Sequence, residues 1–241
     1  MTPPTVGPHF LLDPAAVDGE SVELKGEDAR HLAVVLRAEP GAPVSVSDGT
    51  ALLQTRIVRA TPTSVRLAVT DRHPQPRPRP ALTVVHALPK ARKLDGVVQR
   101  LTEIGVDRLV PVHSERSQVR LDASRAARAV ARWRAVAMAA AKQSRRVRPL
   151  EIADVGRWDS AFPEACVGVV AWEESTEPLR GRVPSDVEEL WLGIGPEGGL
   201  TSAEAHGPGL PVVSLGPTVL RTETAGLVAA TLVLSETGRL G

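Results

Sequence analysis

Residues 73–80 constrain this chain more than any other segment. Proline recurs at Pro74, Pro76, Pro78 and Pro80, and each one removes a backbone donor and pushes its predecessor toward extended geometry. Such a run predicts a stiff linker or an edge segment. The patterns on its two sides differ, which favours a boundary. Before it, residues 44–48, 52–58 and 64–70 read as strands, the first closing on the turn dipeptide of Asp48 and Gly49. A single helix is predicted over 27–36, with Leu32, Val35 and Leu36 on one side. Short strands around one helix predict a small β-barrel. After the run the pattern becomes strand–helix alternation. Strands are predicted at 82–87, 108–112, 166–171, 189–194 and 212–215. A helix over 93–104 puts Leu94, Val97, Val98, Leu101 and Ile104 on one face, with Gly105 as its cap. An alanine- and arginine-rich helix over 122–148 is closed by Pro149, and an amphipathic helix over 223–237 ends the chain. This alternation predicts a mainly parallel sheet covered by helices. The domain map expected is 1–73, a linker over 74–80, and 81–241.

Charge appears neutral only in sum. The whole chain carries 29 Lys and Arg against 28 Asp and Glu, a formal +1. Residues 1–88 balance to zero, residues 89–148 carry +10, and residues 149–241 carry −9. A basic middle segment beside an acidic remainder points to a local electropositive face for a polyanion, or else to a solvated basic helix. Other features exclude whole classes. A single cysteine, Cys166, leaves no intrachain disulfide and no multi-cysteine zinc site, so no metal is expected and a reducing cytoplasm fits. Residues 1–10 contain three prolines and no apolar core, unlike a signal peptide. No stretch approaches the length of a membrane span. Two Phe, four Trp and no Tyr argue against an aromatic stacking platform for RNA.

Two loops carry the chemistry. In residues 190–204, Gly193, Gly195 and Gly198 fit the dinucleotide pattern GxGxxG after an apolar strand. The fit is a decoy: Pro196 and Glu197 interrupt the loop, Gly207 and Pro208 break the next helix, and too little chain remains for a dinucleotide fold. A Walker-type loop is excluded because no Lys followed by Ser or Thr follows the glycines. What remains is a loop that brings bare backbone close to a ligand. In the second loop, residues 214–225, Thr222 or Glu223 can start the last helix. Arg221 has no such role, since a cation beside a helix N-terminus is unfavourable; a polar or anionic ligand accounts for it better.

Residues 195–204 and 215–225 together resemble the signature of the ribosomal RNA small subunit methyltransferase E family, SPOUT-class enzymes that use S-adenosylmethionine to methylate N3 of a uridine in small-subunit ribosomal RNA. Residues 31–37, 88–90, 102–106, 114–117 and 140–145 resemble its other motifs, so the likeness covers most of the chain. Thr218 stands where a basic residue is usual, and Gly226 where alanine or proline is. The resemblance implies an α/β protein with an added β domain: an N-terminal PUA-like β-barrel for RNA binding and a C-terminal SPOUT domain with a trefoil knot. It further implies a homodimer with the cofactor held by three loops. Mapped onto this sequence, these supply Ala171, Trp172 and Glu173; Gly195, Pro196, Glu197, Gly198 and Gly199; and Leu215, Gly216, Leu220 and Thr222.

The acceptor sets the chemical problem, because uridine N3 keeps its proton at neutral pH. A base or a stabiliser of negative charge is therefore needed. Arg221 is the candidate stabiliser; Glu223 or Glu197 is the candidate base, although Glu223 can equally serve only its helix terminus. The target base must also leave its stack. RNA contacts are expected from Arg116, from Arg125, Arg128, Arg132, Lys142, Arg145 and Arg146 on the long helix, and from His31 and Arg37. On that helix Arg125, Arg128 and Arg132 share a face, while Val130, Trp133 and Ala137 occupy another. The partner is small-subunit ribosomal RNA or the assembled subunit, with no membrane. Another SPOUT RNA methyltransferase and a non-catalytic RNA-binding protein of this fold are the alternatives.

Overall fold

The computed structural model describes residues 7–12, 17–90 and 92–241. The first six residues of the segment judged unlike a signal peptide lie outside the described residues. The chain divides into two compact units, Met1–Pro76 with Ala141–Arg148, and Arg77–Ala140 with Pro149–Gly241.

Among the described residues the first unit holds six strands: β1 (His9–Leu11), β2 (Val17–Asp18), β3 (Ser21–Lys25), β4 (Pro43–Ser47), β5 (Ala51–Ala60) and β6 (Ser64–Pro74). They form one sheet in the order β1-β4-β5-β6-β3-β2. The β1–β4 pair is parallel and the others antiparallel. The three expected strands are present, and the short β1 to β3 are additional. Phe10, Val22, Leu24, Val44, Val46, Leu53, Ile57, Val65 and Leu67 form the core. The expected helix over 27–36 is instead a short α1 (Gly26–Arg30) followed by a π-turn over His31–Val35. The wider turn rotates the side chains, so Leu32 is buried while Val35 and Leu36 are exposed. Residues 142–148 are tied into this unit: Lys142 pairs with Asp28 at 2.7 Å, and Ser47 Oγ donates to the Val147 carbonyl at 2.7 Å.

The second unit is a parallel sheet with helices. Its strands are β7 (Ala81–Ala87), β8 (Arg108–His113), β9 (Glu151–Ile152), β10 (Gly156–Arg157), β11 (Gly168–Ala171), β12 (Glu189–Ile194) and β13 (Val212–Val213). The order is β10-β8-β7-β12-β11-β13, with β9 also paired to β8, and every pairing is parallel. Helices α2 (Lys93–Ile104), α3 (Ala123–Gln143), α4 (Ser202–His206) and α5 (Thr222–Glu236) complete it. Successive side chains of a strand point to opposite faces. Accordingly Leu82 and Val84 join a core with Leu94, Val97, Leu101, Trp133, Ala229 and Val233. Val85 and Ala87 pack in a second core with Val110, Trp158, Val170 and Leu200. Gly105 ends α2 in the left-handed conformation, φ 100°. The expected helix over 122–148 stops at Gln143, and Arg145 adopts φ 57°. The last helix is not amphipathic: it is apolar around its circumference, with Leu232 exposed and Leu227 and Val228 half-buried. Among the described residues no helix is long and apolar enough to cross a membrane.

Candidate functional site

The carboxyl ends of β11, β12 and β13 lie side by side, and each opens into one of the loops singled out in the sequence. Ligands of open α/β sheets bind at such carboxyl ends, where the strand order reverses. Here β12 sits between β7 and β11, both earlier in the chain. The three loops enclose a cavity of about 300 Å³. It is lined by Ala171, Trp172 and Glu173 from the first, by Gly195, Pro196, Glu197 and Gly199 from the second, and by Leu215, Gly216, Leu220, Arg221 and Thr222 from the third. Every expected cofactor residue except Gly198 faces it. A Cβ on Gly198 would lie 3.1 Å from the Arg116 Cβ, so that glycine meets protein rather than the cavity.

Local chemistry explains how the loops hold their shape. Thr222 Oγ1 donates to the Gly195 carbonyl at 2.5 Å, joining the second loop to the third. Trp172 Nε1 donates to the Leu200 carbonyl at 3.2 Å, joining the first to the second. Gly199 has φ 72°, which glycine alone adopts without strain. The second loop then enters α4 through a capping box between Thr201 and Glu204. Arg116 donates to the carbonyls of Gly198 and Leu200 at 3.3 and 3.4 Å, bracing the glycine loop from outside.

Three charged groups cross-link the site. Lys93 Nζ, in the first turn of α2, lies 3.2 Å from Glu197 and 3.3 Å from Glu223. Glu197 also accepts the Lys90 backbone N–H at 3.0 Å. Burial pushes the Glu197 carboxyl up, but the Lys90 and Glu197 backbone donors and Lys93 outweigh it and hold it below its usual value. The hydrogen bond to Glu197 raises the Lys93 ammonium against its own desolvation. Glu197 is a brace between α2 and the glycine loop, and Glu223 shares its cation. The sequence offered one unused signal for Lys93, the same that marks Arg221: a cation at a helix N-terminus. Arg221 lines the cavity as the N-cap of α5, with extended backbone and no side-chain capping bond, and no carboxylate pairs with it among the described residues.

The sign of the pH dependence follows. Glu197 is depressed in the folded chain, so its contribution is present above the ordinary carboxylate value of 4.5 and is lost as pH falls through the lower folded value. Lys93 is raised, so its contribution is full below 10.5 and fades above it. Lys93→Met should therefore lower the melting temperature by about 1–4 °C across that window, a small effect because the pair is partly solvated. The difference from wild type should vanish under strong acid in a pH series of melting curves.

Behind the third loop His86 is fully buried. Its Nδ1 lies 2.7 Å from the Ala87 carbonyl, so Nδ1 carries the proton and donates. Burial, opposed by backbone carbonyls at Ala87 and Thr222 and by two carboxylates, lowers its pKa. A Cβ at Gly226 would stand 3.0 Å from His86 Nε2, which accounts for glycine at a position where a larger residue was expected. Gly226→Ala gains helix propensity but crowds an imidazole that cannot retreat, so a net loss of about 1 kcal/mol is expected in denaturant titration. In a His86→Val background the same change should be neutral or stabilising.

The expected RNA contacts divide between the units. In the first, His31 is exposed on the π-turn, its ring in edge contact with Phe10 at 6.4 Å. Arg37 (φ 50°) and Arg145 (φ 57°) are also exposed there, whereas Lys142 is engaged by Asp28. In the second, Arg125 and Arg128 are exposed and Arg132 is bound to Asp95 at 3.1 Å. Trp133, expected on another face, lines a common cleft with these three arginines.

Comparison with known proteins bears on this geometry. Residues 75–234 match the family described as "RNA methyltransferase domain". A ribosomal RNA small subunit methyltransferase E of Mycobacterium bovis is 33% identical over 231 residues, covering 91% of this chain and 88% of its own. Its Bacillus subtilis namesake is 33% identical over 171 residues, covering 64% and 65%. The crystal structure of a ribosomal RNA small subunit methyltransferase E from Neisseria gonorrhoeae, bound to S-adenosyl methionine, superposes with a TM-score of 0.80 at 26% identity, over 95% of this chain and 97% of the other.

Proposed function

Because this chain belongs to the ribosomal RNA small subunit methyltransferase E family, we propose that it uses S-adenosylmethionine to methylate N3 of a uridine in small-subunit ribosomal RNA. The observation that carries this reading is Arg221, without a carboxylate partner among the described residues, on the wall of a glycine-lined cavity at the carboxyl ends of three parallel strands. S-adenosylmethionine fits the residues there. Gly216 has nothing within 4 Å of where a Cβ would stand, so its bare backbone allows close approach, and Leu215 and Leu220 offer apolar contact. Glu173, rather than a basic cradle, suits a ligand cationic at sulfur. When bound, that group supplies an electrophilic methyl.

The protein's own task is the acceptor. Arg221 donates hydrogen bonds to a uridine carbonyl oxygen as N3 loses its proton, stabilising the charge that develops. Glu197 is committed to the Lys90 N–H and to Lys93; Glu223, in the first turn of α5 and sharing that cation, is the proposed acceptor of the proton. The RNA-facing groups are Arg116, Arg125, Arg128 and Arg132 in the second unit, and His31, Arg37 and Arg145 in the first.

Three architectural readings belong with this. The mixed six-stranded sheet supports a PUA-like barrel over residues 1–73. The insertion of β12 between β7 and β11 supports a knotted SPOUT domain over 81–241. The apolar circumference of α5 supports a homodimer. We assign the chain to the cytoplasm, where small subunits are made.

The test is transfer of a tritiated methyl group to small ribosomal subunits and to naked small-subunit RNA, with mapping of the modified base. Label on a uridine N3 supports the reading. Label at another position sinks the N3 assignment, and no label despite calorimetric binding of S-adenosylmethionine sinks the substrate assignment.

A further inference from the structure

The cleft beside α3 is a second cavity of the same unit, and neither the cofactor loops nor Arg221 contribute to it. Its volume is about 310 Å³, at the small end of ligand sites. Its floor is apolar: Leu88, Leu94, Ala129 and Trp133 are buried there, and Val119 closes one side from the loop after β8. Its rim is cationic, with Arg125, Arg128 and Arg132 all lining it.

We propose that this cleft holds one nucleotide of the RNA substrate flanking the target base, its nucleobase on the apolar floor and its phosphates at the arginine rim. The proposal rests on the reading of the chain as an RNA methyltransferase. Four observations carry it. Arg125, Arg128 and Arg132 are like charges at helical spacings of three and four, an arrangement that costs stability unless an anion joins it. Their own carboxylates neutralise them only in part: Arg125 pairs with the exposed Asp122 at 3.4 Å and Arg132 with Asp95, while Arg128 has no ion-pair partner among the described residues. Arg132 is fixed in advance, its Nε on Asp95 at 3.1 Å and its guanidinium 5.9 Å from the Trp133 ring centre. The same Asp95 oxygen accepts Trp133 Nε1 at 2.9 Å. A guanidinium held this way is a rigid plane on which a base can stack, with N–H groups left for phosphate. Lastly, Leu88 and Pro89 wall this cleft, while the backbone N–H of the next residue, Lys90, holds Glu197 of the cofactor cavity. One short strap separates the two cavities, a separation suited to successive nucleotides with one base splayed out.

Val119→Trp fills the cleft from a half-buried loop position, and Arg128→Ala removes one rim charge without touching the core. With naked small-subunit RNA as probe, each should raise KM about tenfold. The kcat and the calorimetric Kd for S-adenosylmethionine should stay within twofold. Arg128→Lys should recover part of the loss. An unchanged KM in a folded Val119→Trp protein overturns the proposal, since no base then enters. A changed oligomeric state of that variant in light scattering also overturns it, because a second copy then fills the cleft. If no RNA is methylated at all, filter binding of the same RNA still decides. A tenfold weaker Kd in both variants supports the nucleotide site even as the methylation reading fails, and an unaltered Kd removes it.

Discussion

Replacing Arg221 by alanine is expected to lower methyl transfer to small ribosomal subunits about 10²–10³-fold, the usual cost of losing one well-placed donor to a developing anion. The same change is expected to leave the fold intact and slightly more stable. Arg221 is the N-cap of α5, its side chain makes no capping bond, and no carboxylate neutralises it among the described residues. A cation at that positive helix end costs about 0.3–1 kcal/mol at an exposed site. Activity and stability should therefore move in opposite directions, which separates a chemical role from damage to the loop. Calorimetric affinity for S-adenosylmethionine sharpens the result. If kcat falls while that affinity holds within a few-fold, Arg221 serves the acceptor base. If the whole loss lies in cofactor affinity, the guanidinium holds the cofactor's carboxylate, and the role proposed above is wrong. Lysine at the position keeps the charge but loses the planar fork, so its activity should fall between.

The loops around that arginine were legible because their residue types have few other uses. Glycines crowded around Pro196 and Glu197 make a poor helix or strand and a good backbone surface, and eleven of the twelve residues read as cofactor contacts line the cavity. Gly198 is the exception because its neighbour is Arg116, a long-range contact that local pattern cannot display. Strong periodicity also carried over: α2 and β12 begin and end where the apolar spacing placed them. Boundaries failed where tertiary contacts decide them. The α3 helix stops short of Pro149 because its end belongs to the first unit, where Lys142 pairs with Asp28 and the Val147 carbonyl accepts Ser47 Oγ. The π-turn after α1 is likewise unmarked in the sequence, and it exposes Val35 while burying Leu32. Lys93 reads in the sequence as an ordinary helical lysine, although its position at a helix start makes it as anomalous as Arg221; Glu197 and Glu223 explain it.

The largest effect on stability is expected from Gly168→Ala. Gly168 opens β11 and pairs with Trp191 of β12, and beside it the Trp191 N–H donates to the Val167 carbonyl at 2.8 Å. A Cβ at 168 would lie 1.8 Å from the Trp191 carbonyl oxygen, 2.6 Å from its carbon and 2.7 Å from its nitrogen. All three are backbone atoms, so no side chain can swing aside, and relief requires the two parallel strands to part. The expected cost is about 3 kcal/mol or more, beyond ordinary overpacking, or roughly 6–12 °C in melting temperature for a chain of this size. Gly181→Ala is the matched control. Its φ is 74° but nothing lies within 4 Å of the added carbon, so it should lose only the conformational cost of about 1 kcal/mol. Tryptophan fluorescence is the appropriate probe, because Trp133, Trp158, Trp172 and Trp191 all fall in the second unit. Equal melting losses in the two variants would mean that β11 and β12 can separate cheaply, and the site could not then depend on their register. A loss confined to Gly168→Ala ties the cavity to that register, because β11 ends two residues before Glu173 and β12 ends at the residue before Gly195.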